Sequence, residues 1–275
     1  MNPRPFDYVR PETVEEAVAL LAEYGDDARI LAGGQSLMPM LNLRIAEPSV
    51  IIDISRIAAL SEIAKADGKV EVGAAVTQNR LMDWPDLADA LPLLNVALPF
   101  VGHFQTRNRG TVCGSIAHAD PSSELPLCLA LLEGEVVLRS ADGTRVLAAD
   151  DFQQDMLTTA REPNELVTAV RFPIASQRGA AFREVARRHG DFAIIAVGAV
   201  VEDQQSVRIG VGGMTGKPAV RRIAADSGSA VTNAVERIAW ELEGYDDMHA
   251  SARMRRDLLR RVAPVVIEEA RRCAA

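Results

Sequence analysis

Cysteine is scarce in this 275-residue chain: the three residues, Cys113, Cys128 and Cys273, are too few for a four-thiolate iron–sulfur cluster and too scattered for a disulfide framework. None of the four histidines falls in a HExxH or equivalent ligand pair, which argues against a metal site of the chain's own. Long apolar runs are missing as well. No segment approaches the roughly 18 residues needed to span a bilayer, and the amino terminus MNPRPFDYVRP lacks a signal-peptide core, so no membrane span and a cytoplasmic location are expected. Positive charge is not in excess. Thirty Lys and Arg against 38 Asp and Glu leave a net charge of -8, which opposes binding to phosphate polymers and makes nucleic acid an unexpected partner. Aromatic residues are only 4% of the chain, so an aromatic-lined substrate pocket is not evident. Any redox chemistry must therefore use an organic cofactor or a partner chain. What remains, 48% hydrophobic and 25% charged residues, suits one large globular domain or two modest ones.

Thr13 with Glu16 three residues on, then Val14, Ala17, Val18 and Leu21 on one face and Gly25 as a stop, predict an amphipathic helix. Ala28 to Ala32 reads as a strand that runs into Gly33-Gly34-Gln35-Ser36. Ser49 to Ile54 and Val70 to Ala75 read as further strands, the second entered through an Asp67-Gly68 turn. Thr77 to Leu98 turns helical in short pieces set by Pro85, Pro92 and Pro99. The stretch from Gly102 to Ser115 is polar and irregular. Asp120-Pro121 predicts a helix start, Leu125 to Leu132 its apolar body and Gly134 its end. A hairpin is expected over Glu135 to Ala149 and a strand over Leu166 to Phe172. The linker candidate Ala175-Ser176-Gln177-Arg178-Gly179 marks the domain boundary. Beyond it, Ala181 to Val185, Phe192 to Val201 and Val207 to Val211 predict an antiparallel sheet. Helices follow at Val231 to Glu243 and Ala250 to Arg272, the latter with Met254, Leu258, Val262 and Val265 in its apolar stripe and its arginines in solvent.

Two glycine segments dominate the functional reading. In Ala32-Gly33-Gly34-Gln35-Ser36, directly after a strand, missing side chains let successive backbone N–H groups converge on an anion. Asn108-Arg109-Gly110-Thr111-Val112-Cys113-Gly114-Ser115 offers the same device, with hydroxyls interleaved and arginines just before it. Either one alone is weak, because glycine pairs are commonest in plain turns. Together they imply a pyrophosphate held from two sides. Neither matches the P-loop, which needs a lysine, nor the GxGxxG of a dinucleotide-binding βαβ unit.

Leu31 to Leu37, Arg107 to Pro121 and Arg188 to Ala193 resemble the FAD-binding medium subunit of the molybdenum hydroxylases, the family of xanthine dehydrogenase and carbon monoxide dehydrogenase. The resemblance implies an α+β fold: a two-lobed FAD-binding domain of the PCMH type over residues 1–175, with lobes of about 1–55 and 56–175, then a smaller domain over 176–275 with an antiparallel sheet and C-terminal helices. It implies FAD-binding roles for Ala32, Gly33, Gly34, Gln35, Ser36 and Leu37 in the first loop and for Thr111, Val112, Cys113, Gly114 and Ser115 in the second. His118, Asp120, Glu124 and Asp191 complete the set, Glu124 as an acceptor for ribityl hydroxyls and Asp120 doubling as a helix cap. Cys113 stands where the family has glycine. A left-handed backbone there would strain a cysteine by about 1 kcal/mol or more, so ordinary backbone and an N–H contribution are expected of it. Ile194 and Ile195 stand where the family pattern has a lysine. Arg187, Arg188 and Lys217 are open between contacting the cofactor or an acceptor and being plain surface charges.

The resemblance further implies an electron-transfer subunit with no catalytic residue of its own. A small iron–sulfur subunit with two 2Fe–2S clusters and a large subunit with the molybdopterin cofactor would be its partners, in a dimer of heterotrimers. Electrons would pass through FAD to an external acceptor. A self-sufficient flavin oxidoreductase and a non-redox nucleotide-binding module are the rival readings; bound flavin excludes the second, and a need for partners excludes the first.

Overall fold

The computed structural model describes residues 2–174, 179–224 and 227–274. Of the linker candidate 175–179, residues 175–178 lie outside the described residues and Gly179 already opens the strand Gly179–Val185. The chain is α+β, with its sheets in three main groups.

The first group is a parallel sheet of three strands in the order Asp7–Val9, Val50–Asp53, Ala28–Leu31, the fully buried Val50–Asp53 in the middle. Helix Val14–Tyr24 covers it through Val14, Ala17, Val18 and Leu21, as their spacing requires. Thr13 caps this helix by accepting the Glu16 amide at 3.1 Å, and Gly25 ends it at a φ of 49°. The Glu16 carboxylate takes the Glu12 amide at 2.8 Å, so only half of the reciprocal capping box forms.

The second group is an antiparallel sheet in the order Ile63–Ala66, Lys69–Gly73, Leu166–Pro173, Glu135–Ser140, Gly143–Ala148. Asp67 and Gly68, both at positive φ (50° and 73°), make the two-residue turn of its first hairpin. Ile63–Ala66, largely exposed, has too little apolar alternation to stand out in the sequence. Short helices connect this sheet to the rest, among them Gln78–Met82, capped by Thr77, and Pro92–Ala97. One predicted helix start moves. The helix is Glu124–Leu131 with Ser123 at its N-cap, while the Asp120 carboxylate accepts the Ser122 amide at 2.8 Å in a local turn. Asp120 therefore does not cap that helix.

The third group is the antiparallel meander Gly179–Val185, Ile195–Val201, Ser206–Gly212, Ala219–Ala224. Both faces of Ile195–Val201 are covered, which explains its unbroken apolar run. Ala196 and Val200 join the core of the first part of the chain, whereas Ile195, Val197, Ala199 and Val201 join a second core under helices Gly228–Glu241 and Ala252–Ala274. Gly198 and Gly210 leave room on the former face for Leu131, Leu93 and Leu127. The last helix buries Leu259, Ala263, Val266, Ile267 and Ala270, while Met254 and Val265 are exposed. The predicted stripe is thus the flank of the true contact face. Small residues shift that face: Gly179 lies so close to the Ala270 carbonyl that a Cβ would sit 2.1 Å from it. Arg255 on this helix is also buried, contrary to the expectation of solvated arginines. It donates to the carbonyls of Ile194 and Gly213 and pairs with Asp247 at 2.6 Å. No helix among the described residues is long and apolar enough to cross a membrane.

Candidate functional site

Strand Ala28–Leu31 delivers the first glycine segment, and helix Leu37–Asn42 leaves it. Gly34 sits at a φ of 71°, which glycine adopts freely. Its carbonyl accepts the Met38 amide at 3.0 Å, and the Ser36 carbonyl accepts that of Met40 at 3.2 Å. The amides of residues 33–37 have no acceptor among the described residues. Gln35 folds back, its Nε2 donating to the Gly33 carbonyl at 3.1 Å.

The second segment is not a loop throughout. Thr111 caps helix Val112–His118, its hydroxyl accepting the Gly114 amide at 3.0 Å. Val112 is buried in the core, and its amide is bound to the Val76 carbonyl at 3.1 Å. This differs from the expected ring of free donors, because a helix N-terminus satisfies its own cap first. The Cys113 amide is left without an acceptor among the described residues. Cys113 has ordinary helical backbone, and its thiol donates inward to the Val72 carbonyl at 3.3 Å. Burial pushes that thiol's pKa up, which disfavours a thiolate here.

The two segments touch. A Cβ on Gly33 would lie 2.2 Å from the Arg109 carbonyl oxygen and 2.7 Å from Gly110 Cα. Gly110 is fixed in turn by its own carbonyl, which accepts the Gln78 amide at 2.8 Å. Together the segments open into one cleft of about 830 Å³. Ala32, Gly33, Gly34, Gln35, Ser36 and Leu37 line it, as do Thr111, Cys113, Gly114, Ser115, His118, Glu124 and Asp191. Val112 and Asp120 do not, the first because it packs into the core and the second because it is engaged in its own turn. Arg187 and Arg188 border the cleft, the latter paired with Asp191 at 3.2 Å. Ile194 is on the wall, whereas Ile195 faces the second core. Lys217 is tied to Asp150 at 2.7 Å and lies off the cleft. Arg107 is structural, donating to the Val101 and Gly102 carbonyls.

Glu124, the buried first residue of its helix, meets Glu184 of the meander sheet. Burial raises both carboxyls above the usual range; the charge of Asp120 adds to this at Glu124, whose hydrogen bond with Glu184 holds it back in part, and the charge and hydrogen bond of Glu124 add to it at Glu184. Sequence reasoning missed Gln78, Arg29, Arg161 and His249, which also line the cleft. Gln78 Oε1 is buried with no donor. None of these four lies in a recognisable motif; only Gln78, next to the Thr77 cap, carried even a local signal.

Comparison with known proteins places this geometry. A family model for the FAD binding domain in molybdopterin dehydrogenase matches residues 4–175. The nicotine 6-hydroxylase medium subunit of Paenarthrobacter nicotinovorans is 36% identical over 276 residues, 96% of each chain. The carbon monoxide dehydrogenase medium chain of Afipia carboxidovorans is 37% identical over 202 residues, 73% of this chain and 70% of that one. Among solved structures, quinoline 2-oxidoreductase from Pseudomonas putida 86 superimposes with a TM-score of 0.93 at 33% identity, over 100% of this chain and 99% of that one. Cyanide-inactivated Cu,Mo-CO dehydrogenase gives 0.95 at 30% identity, over 100% of both chains.

Proposed function

The chain belongs to the family of the FAD binding domain in molybdopterin dehydrogenase, and from that premise we propose that it relays electrons from the 2Fe–2S clusters of a partner subunit to an external acceptor. It is an FAD-binding flavoprotein subunit of a molybdenum hydroxylase-type oxidoreductase. The cleft fits the cofactor on its own terms. The amides of residues 33–37 and of Cys113, without acceptors among the described residues, belong to one cleft lining where two backbones touch, a donor set suited to a diphosphate. That juxtaposition is the observation that carries the proposal.

FAD, when bound, supplies a centre that takes up electrons one or two at a time. In this reading the amides of Gly33, Gly34, Gln35, Ser36 and Leu37 hold one flank of the diphosphate. The Cys113 amide and the hydroxyls of Thr111 and Ser115 hold the other. Ala32 and Gly114 keep the walls narrow. Glu124 accepts hydrogen bonds from the polyol chain, while His118 and Asp191 border the cofactor. Val112 acts from behind by fixing the helix that presents Cys113. The chain contributes position and electrostatics and takes no proton from a substrate. Residues 1–175 would form the cofactor domain and 176–275 the smaller domain that closes one wall. A small iron–sulfur subunit and a large molybdenum subunit, in a cytoplasmic dimer of heterotrimers, complete the proposal.

Purification of the full chain tests it. The expected result is bound flavin by absorbance, no turnover of small electron donors by the chain alone, and flavin reduction once iron–sulfur and molybdenum partners are added. A chain that binds no flavin removes the reading, and one that oxidises a small donor unaided replaces it with a self-sufficient oxidoreductase.

A further inference from the structure

The cleft carries charge that the glycine segments do not account for. On the side formed by the parallel sheet, Arg29 and Arg161 both line it. They arrive from separate parts of the chain, Arg29 on strand Ala28–Leu31 and Arg161 in the segment leading into strand Leu166–Pro173. Each is held by one nitrogen on backbone carbonyls. Arg29 Nη1 donates to Asp26 at 2.9 Å and Ala28 at 2.8 Å. Arg161 Nη1 donates to Glu162 and Glu165, both at 2.9 Å, and to Pro163 at 3.4 Å. Neither guanidinium forms an ion pair among the described residues. Glu165, the buried carboxylate on the same wall, is already spent: it takes Arg145 bidentately at 2.5 and 2.7 Å and the Glu162 amide at 2.7 Å. Burial and the charge of Arg29 together depress the pKa of Arg161; Glu165, Asp26 and Glu162 offset this only through longer-range attraction.

Two like charges on one cleft, one of them half-buried and neither in an ion pair among the described residues, repel each other in the free protein. Their remaining N–H groups form two planar forks of the geometry that suits phosphate oxygens. An aromatic base stacked on either guanidinium would not relieve the repulsion, whereas an anion would. Arg29 precedes Gly33 by four positions on the strand that delivers the first loop, so at most about 13 Å of extended backbone separates them, a span that one nucleotide can bridge. We propose that Arg29 and Arg161 form a cationic clamp on the adenosine-side phosphate of the dinucleotide, which makes this chain select FAD over FMN. The clamp rests on the FAD reading given above and adds to it the residues that recognise the adenosine half.

The test titrates the full chain, freed of flavin, with FAD, FMN, ADP and adenosine at low and raised salt, for the wild type, Arg161→Gln and Arg29→Gln. Each variant is expected to bind FAD and ADP about 10- to 100-fold more weakly than wild type, with a shallower salt dependence, and to bind FMN and adenosine unchanged. Arg161→Lys, which keeps the charge without the fork, should fall between wild type and Arg161→Gln and serves as the readout if Arg161→Gln does not fold. Wild-type affinity for FAD and ADP in both glutamine variants overturns the clamp and leaves the flavoprotein reading intact. Equal weakening of FMN or adenosine also overturns it, because the effect would then not be read from the adenosine-side phosphate. A wild-type chain that binds no flavin removes both.

Discussion

Replacing Gly33 by alanine strikes the point where the two halves of the site meet. Gly33 is not in the left-handed region, so its importance lies in the absent Cβ and not in backbone freedom. An added Cβ would stand 2.2 Å from the Arg109 carbonyl oxygen and 2.7 Å from Gly110 Cα, and backbone atoms cannot swing aside as a long side chain can. The segments must part by about 1 Å to regain ordinary contact, at an overpacking cost of about 1–3 kcal/mol. The loss in cofactor binding should exceed that. Each amide bonded to a charged oxygen contributes about 1.5–3 kcal/mol, and displacing two of the amides that have no acceptor among the described residues forfeits about 3–6 kcal/mol, a loss of about 10²- to 10⁴-fold in affinity. Gly33→Val should do at least as much. The assay measures the flavin-to-protein ratio after purification, the FAD dissociation constant by fluorescence quenching, and the thermal midpoint. Gly228→Ala is the control: a Cβ there meets nothing within 4 Å, so flavin affinity should not change and stability should stay level or rise slightly. A Gly33→Ala protein that folds and holds FAD with wild-type affinity would refute both the inter-segment contact and the assignment of the first loop.

Glu124 and Glu184 set a pH dependence. Burial raises both carboxyls, so the folded chain keeps protons that the unfolded chain has lost between the ordinary carboxylate range and about 8. Protons bound in excess by the folded state make stability highest at acid pH and lower as pH rises through that window. The thermal midpoint should fall from pH 5 to pH 8.5, and Glu184→Gln should flatten the slope; a midpoint that climbs with pH would show the pair to be ionised in the fold. Arg255→Met should destabilise the chain by about 2–4 kcal/mol in denaturant titration, because the Ile194 and Gly213 carbonyls lose their buried donor. A loss under about 0.5 kcal/mol would mean that water reaches those carbonyls. Thiol labelling of the native chain should modify the exposed Cys273 quickly and the buried Cys113 and Cys128 only on unfolding. Fast reaction at Cys113 would contradict its inward-facing thiol.

What the sequence disclosed depended on the range of the interaction. The Thr13 cap, the Asp67-Gly68 hairpin, the strands at 50–53 and 166–173 and the helix at 14–24 are set by neighbours a few residues apart, and each was legible. Arg255 was misread because its acceptors are the strand ends at Ile194 and Gly213, which only the folded meander brings to one helix. The apolar stripe of that helix was misplaced for a related reason: Ala263 and Ala270 matter through closeness to Gly179, a quality that hydrophobicity does not encode. Arg29 and Arg161 were invisible as a pair because 131 positions separate them in the chain.

The glycine segments show most sharply where sequence reasoning succeeds for an incomplete reason. The adjacent pair Gly33-Gly34 suggests one role, backbone freedom, yet the two residues do different things. Gly34 uses its φ of 71°, and an alanine there would be strained whatever the space around it. Gly33 has ordinary backbone and is needed for what it lacks, since the Arg109 carbonyl occupies the place of its Cβ. The same division appears in the second segment. Thr111, Gly110 and Gly114 all signal a loop when taken singly, but Thr111 caps a helix, Gly114 leaves room for the capping hydroxyl 2.7 Å from where its Cβ would lie, and Gly110 admits Gln78. This second segment therefore brings few amides without an acceptor among the described residues, and the first brings five. It follows that the chain tolerates cysteine at position 113, where the family pattern has glycine: a helical position asks only for an amide directed at the cleft and a side chain small enough to turn toward Val72, and cysteine supplies both.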